Sequence, residues 1–118
     1  MMNQLPNYEP AVIEDSKLVD YALNPNNERG QHKAQVFARS LGFDLSNWER
    51  LKREILIGLP MHEAASISET DFGRKCEVVI DITGPNGRTV PVKTIWQYDR
   101  LADGAFADAP RLVTMYIV

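Results

Sequence analysis

Thr83-Gly84-Pro85-Asn86-Gly87-Arg88, then Thr89-Val90-Pro91-Val92-Lys93-Thr94-Ile95-Trp96-Gln97-Tyr98, and after a loop Pro110-Arg111-Leu112-Val113-Thr114-Met115-Tyr116-Ile117-Val118, is the stretch that decides the fold. Asn86-Gly87 can take the positive φ of a tight turn, so Gly84-Pro85-Asn86-Gly87 reads as a hairpin loop between two strands. After it, Val90, Val92, Thr94, Trp96 and Tyr98 alternate with Thr89, Pro91, Lys93, Ile95 and Gln97. Arg111 to Ile117 is a final apolar strand, which must pair with a neighbour to stay soluble. Pro91 gives no ladder hydrogen bond, so its nitrogen is expected at an edge or a bulge.

Working back toward the N-terminus, Val78, Ile80 and Ile82 alternate with Glu77, Val79 and Asp81, which predicts a strand over 75–83 with one strongly apolar face. Residues 65–69 carry a weaker strand signal before the turn Asp71-Phe72-Gly73. Upstream the period becomes helical. Ala34, Phe37, Ala38 and Leu41 form one stripe from Gln31 to a Gly42 cap. Trp48, Leu51, Ile55 and Leu59 form another, with Ser46 and Glu49 spaced as a capping box and Glu49 to Arg53 as a supporting pair. Leu18, Val19, Tyr21, Ala22 and Leu23 predict a first helix over 15–23, stopped by Asn24-Pro25. The expectation is one domain over 1–118: an extended arm at 1–13, a helical half at 14–60 and a sheet at 61–118. The class is α+β, three N-terminal helices on one face of a three- to four-stranded antiparallel meander.

Composition bounds the function. The 118 residues suffice for a core without cross-links, and 44% hydrophobic with 25% charged residues is ordinary for a globular domain. No run approaches the roughly 20 apolar residues of a membrane span. No basic-then-apolar leader opens the sequence, so a cytoplasmic location and no membrane partner are expected. Cys76 alone excludes an intrachain disulfide, and with only His32 and His62 no metal site and no cofactor are expected. His62 reads as a loop residue. A net charge of −3 gives no global attraction to nucleic acid, so RNA binding would need a local basic patch.

Two candidate sites emerge. If the helices cover one sheet face, the other is open, and Lys93 and Gln97 share it beside Arg111. Trp96 either packs under the helices or stacks on a substrate, depending on which strand face is inside. At the start of the second helix, Gly30-Gln31-His32-Lys33 sets His32 away from the apolar stripe. There the helix dipole favours neutral imidazole, the form of a general base, while first-turn amides and Lys33 suit a phosphate.

The segments Lys17-Leu18-Val19-Asp20-Tyr21-Ala22-Leu23-Asn24-Pro25, Gly30 with Lys33-Ala34 and Phe37, Gly84-Pro85-Asn86-Gly87-Arg88, Thr94-Ile95-Trp96 and Pro110-Arg111-Leu112-Val113-Thr114-Met115-Tyr116 together resemble a family of small bacterial domains of unknown function. The resemblance runs from Lys17 to Tyr116 and implies no established activity. More distantly, helices followed by a meander ending in Leu-Val-Thr-Met-Tyr are similar to the metal-independent ribonuclease toxins that include barnase and colicin-type ribonucleases. That likeness implies RNA cleavage with His32 as base or acid, Lys33 and Arg111 as phosphate cations, and Thr114 or Tyr116 as a hydrogen-bonding partner, with Lys93, Gln97 and Trp96 as substrate contacts. The chain departs from it in being acidic and in lacking paired histidines. The alternatives are a non-catalytic interaction module of immunity or adaptor kind, with a protein partner of toxin–antitoxin or immunity type, or a small homo-oligomeric structural domain, such as a homodimer that pairs its edge strand.

Overall fold

The computed structural model describes residues 3–118; the first two residues of the expected arm lie outside that range. A one-turn π-helix at Lys17–Ala22 is followed by α1 at Gln31–Leu41, α2 at Trp48–Gly58 and a 3₁₀ turn at Leu59–Met61. Strands β1 (Ala64–Thr70), β2 (Gly73–Thr83), β3 (Thr89–Asp99) and β4 (Arg111–Ile117) then form one antiparallel sheet in the order β1-β2-β3-β4. The class is α+β, with a four-stranded meander.

Strand parity selects the buried face. Cys76, Val78, Ile80 and Ile82 of β2 and Val92, Thr94, Trp96 and Tyr98 of β3 point inward, where they join Phe37, Leu41, Leu51 and Ile55 from the helices. Each such aliphatic or aromatic side chain contributes about 1.5–3 kcal/mol when fully buried. Two polar side chains inside are paired: the Trp96 indole N–H donates to Thr94 Oγ1 at 2.8 Å, and that hydroxyl donates to the Val78 carbonyl at 2.7 Å. Trp96 is 0% exposed, which corrects its expected role as a substrate contact.

Two glycines fix how the layers meet. A Cβ on Gly84 would lie 2.0 Å from the Leu41 carbonyl oxygen, so only glycine lets the β2–β3 hairpin close on the end of α1. Gly42 caps that helix at φ 82°. Pro91 pairs with Asp81 and accepts from the Val118 amide at 3.1 Å, and its missing N–H falls on the β4 side where that strand runs out. In β4 the register moves from Trp96 opposite Leu112 to Ile95 opposite Thr114, leaving Val113 as a bulge residue.

Local signals were overridden at three places. The first helix is six residues long rather than nine, because Leu23 N–H reaches back to Leu18 at 2.9 Å and the chain leaves the helix before Pro25. No capping box forms at Ser46: Asn47 occupies the cap position, and Ser46 turns to the Asp44 carboxylate. His62 is more than a loop residue. Its Nδ1 lies 2.8 Å from the Gly58 carbonyl, which only accepts, so Nδ1 carries the hydrogen and Nε2 accepts the Asp81 amide at 3.2 Å. That bond satisfies β2 just beyond the end of its pairing with β1. The arm, finally, is tied down. Leu5 and Ile13 are buried, Val12 bridges Arg111 in parallel beside β4, and the Tyr98 hydroxyl donates to the Pro6 carbonyl.

Candidate functional site

On the outward sheet face, Arg111, Gln97 and Lys93 are already engaged by neighbouring groups. Arg111, at the start of β4, donates from Nε and Nη2 to the two oxygens of Asp99 at 3.0 and 2.8 Å, and Glu14 stands 3.9 Å from its Nη1. Gln97 is 7% exposed, and its amide donates to the same carboxylate at 2.7 Å. The hydrogen bonds from Arg111 hold Asp99 down to about 2, against desolvation and with help from Gln97. Arg111 is therefore neutralised where it was expected to face a phosphate, and Gln97 is a strut rather than a substrate contact. Lys93 lies 3.4 Å from Glu77, whose hydrogen bond and charge push its ammonium pKa up. Its Nζ also stands 5.7 Å from the centre of the Tyr116 ring.

The other candidate assembles where α1 meets the β4 edge. A cleft of about 210 Å³ is lined by His32, Lys33, Val36 and Phe37 of α1 and by Tyr116 and Ile117 of β4. Helical spacing puts His32, Lys33 and Val36 on neighbouring rows of α1, while Ala34, Phe37 and Leu41 face the core. Lys33 Nζ donates to Thr114 Oγ1 at 3.0 Å and sits 4.9 Å from the centre of the Tyr21 ring. The lysine accepts no hydrogen bond, so Thr114 Oγ1 must be the acceptor and its own O–H remains available to a ligand. Among the described residues no carboxylate lies within 4.0 Å of the Lys33 ammonium, since the ion pairs there use Lys52, Lys93, Arg100 and Arg111. Desolvation pushes the Lys33 pKa down. A half-withdrawn cation with no counter-charge, beside a spare hydroxyl, is suited to hold an anion.

Of the eight residues read from the sequence, the fold gathers His32, Lys33, Thr114 and Tyr116, and sets Lys93 beyond the Tyr116 ring. It sends Arg111 and Gln97 to Asp99 and buries Trp96. Tyr21 was missed as a site residue because its spacing placed it with the apolar stripe of the first helix. Its seat under Lys33 depends on Gly30, where a Cβ would lie 2.2 Å from the Tyr21 carbonyl oxygen and 3.2 Å from its ring. Among the described residues no three His, Cys, Asp or Glu side chains cluster as metal ligands would, and no helix is long and apolar enough to cross a membrane.

Fold and cleft together define a small α+β domain with a cleft between its second helical element, α1, and the edge of an antiparallel meander. The chain belongs to the family described as "Domain of unknown function (DUF6883)", which matches it over residues 4–118. No curated protein and no solved structure matches it.

Proposed function

We propose that the α1–β4 cleft cleaves RNA by a metal-independent route. The observation that carries this reading is the Lys33 ammonium, half out of water, unpaired with any carboxylate among the described residues and bonded only to a neutral hydroxyl. In the reaction the RNA 2′-hydroxyl attacks the adjacent phosphorus. The new bond runs from 2′-oxygen to phosphorus, the bond to the 5′-oxygen breaks, and the products are a cyclic phosphate and a free 5′-hydroxyl. His32, which lines the same cleft, is the group to take or return the proton. Lys33 and the Thr114 hydroxyl then face the oxygens on which charge builds. Arg111 has no part in this scheme while Asp99 holds it.

Two alternatives draw on the same molecule. An acidic protein partner would seek the same ammonium. Edge pairing into a homodimer would use β1, which is exposed along most of its length, but the extra residue Ile67 bulges that edge and resists a continuous ladder. The test is incubation of the protein with total RNA in EDTA beside Lys33→Met and His32→Ala. Cleavage by the wild type that both variants lose by at least 100-fold, on the scale usual for general acid–base and electrostatic groups, is expected. Intact RNA at high protein concentration would overturn the reading.

A further inference from the structure

Helix α1 is a basic element in an acidic chain. From Arg29 to Phe43 the sequence carries Arg29, His32, Lys33 and Arg39 and no Asp or Glu, although the chain as a whole has 16 Asp and Glu against 13 Lys and Arg. At about 100° per residue His32, Val36 and Arg39 fall in one narrow stripe, and Lys33 flanks it toward β4. Arg29, His32, Val36 and Arg39 are all exposed. None of Arg29, Lys33 and Arg39 joins an ion pair among the described residues. The two arginines bracket the cleft about 15 Å apart, taking about 1.5 Å of rise per residue. Beyond the far end of α1 stands the hairpin loop that contains Arg88, tied on by Asn86 through the Ser40 carbonyl at 3.2 Å.

The run from residue 29 to 43, flanked by Glu28 and Asp44, carries basic groups over a longer span than one phosphate needs. The cleft in its middle, about 210 Å³ between α1 and Tyr116, has room for one planar base and none for a stacked pair. We infer that a single RNA strand lies along α1, its phosphates met by Arg29, Lys33 and Arg39, with one base turned into the cleft against Val36 and Tyr116. This rests on the reading of the cleft as an RNA site and adds the strand's path and its unpaired state.

The test measures binding without cleavage, so that it can fail separately from the activity. The probe is 2′-O-methyl RNA of about eight nucleotides, within the range of single-strand site sizes, and it has no free 2′-hydroxyl to attack. Its affinity is followed by fluorescence anisotropy between about 50 and 200 mM salt for the wild type, Arg29→Gln, Arg39→Gln and, as an α2 control, Arg53→Gln. Each ridge variant is expected to reduce the slope of log affinity against log salt by about 0.7, so its deficit shrinks about 2.6-fold across that range, while Arg53→Gln matches the wild type. A 2′-O-methyl dinucleotide should respond to Lys33→Met and ignore Arg29 and Arg39. Octamer slopes unchanged by both arginine variants would overturn the path and leave the cleft reading intact. Tighter binding of a self-complementary duplex would overturn the unpaired state. Failure to bind the octamer, with binding of an acidic polyglutamate peptide instead, would overturn the strand altogether in favour of an acidic protein.

Discussion

Lys33→Met should make the protein more stable while removing the anion affinity proposed for its cleft. The substitution deletes a charged hydrogen bond of 3.0 Å to Thr114 and a ring contact of 4.9 Å to Tyr21. Those are worth about 1.5–3 and about 0.5–1 kcal/mol respectively. It also deletes an ammonium partly withdrawn from water with no carboxylate to meet it. Desolvation lowers the pKa of that ammonium, so folding disfavours its charged form relative to the neutral amine. Half-solvated charges are strongly screened, so the net penalty is on the order of 0.5–1 kcal/mol. Methionine keeps an unbranched apolar stem of similar length and recovers that amount, a rise of about 2–6 °C in Tm for a domain of this size. The sign of the pH dependence follows from linkage. Between the lowered folded pKa and the ordinary lysine value of 10.5 the unfolded chain holds more protons, so wild-type stability rises with pH there. Urea unfolding at a series of pH values should show the variant's advantage in full at neutral pH and shrinking as pH climbs toward 10.5. A variant less stable by more than about 1 kcal/mol at neutral pH would refute the reasoning, because Lys33 would then be a structural clamp.

Thr94→Val orphans the buried Trp96 indole N–H and removes the bond to Val78, so it should cost about 2 kcal/mol in urea unfolding, against about 1 kcal/mol in a Trp96→Phe background; equal costs in both would deny the coupling. Asp99 stabilises the fold above its ordinary pKa of 3.8, and that contribution is lost as pH falls through about 2. Asp99→Asn should therefore abolish about 1 kcal/mol of acid sensitivity after allowance for solvent screening, and an unchanged acid midpoint would show the Arg111 pair to be inert.

The sheet was legible wherever one face is buried. Val78, Ile80 and Ile82 alternate because alternate side chains of β2 enter the core, and Asn86-Gly87 marks the turn that joins it to β3. Strand β1 was faint because it is exposed along nearly its whole length, which leaves no apolar alternation to read. Parity alone does not say which face is inside, so Trp96 stayed ambiguous until the helices were seen to cover it. The Ser46 capping signal was sound as a local pattern, but the helix opens one residue later, with Asn47 at the cap and the Ser46 amide and hydroxyl donating to Asp44. The site was half legible. His32 and Lys33 were visible at a helix start, but their meeting with Thr114 and Tyr116 spans some 80 residues and exists only because β4 is the edge strand beside α1. Arg111 misled for the converse reason: Asp99, which takes its charge, stands where the sequence showed the start of a loop.

The carbonyl on one side of His62 and the amide on the other leave that ring no vacancy: one nitrogen gives its hydrogen to Gly58, and the lone pair of the other receives Asp81. Of the chain's two imidazoles, then, one is mortar between the end of α2 and β2, with the Asp81 carboxylate 3.8 Å from its Nε2, and the other stands exposed on α1. Replacing His62 would therefore be felt in the seam between α2 and β2, while replacing His32 would leave that seam intact.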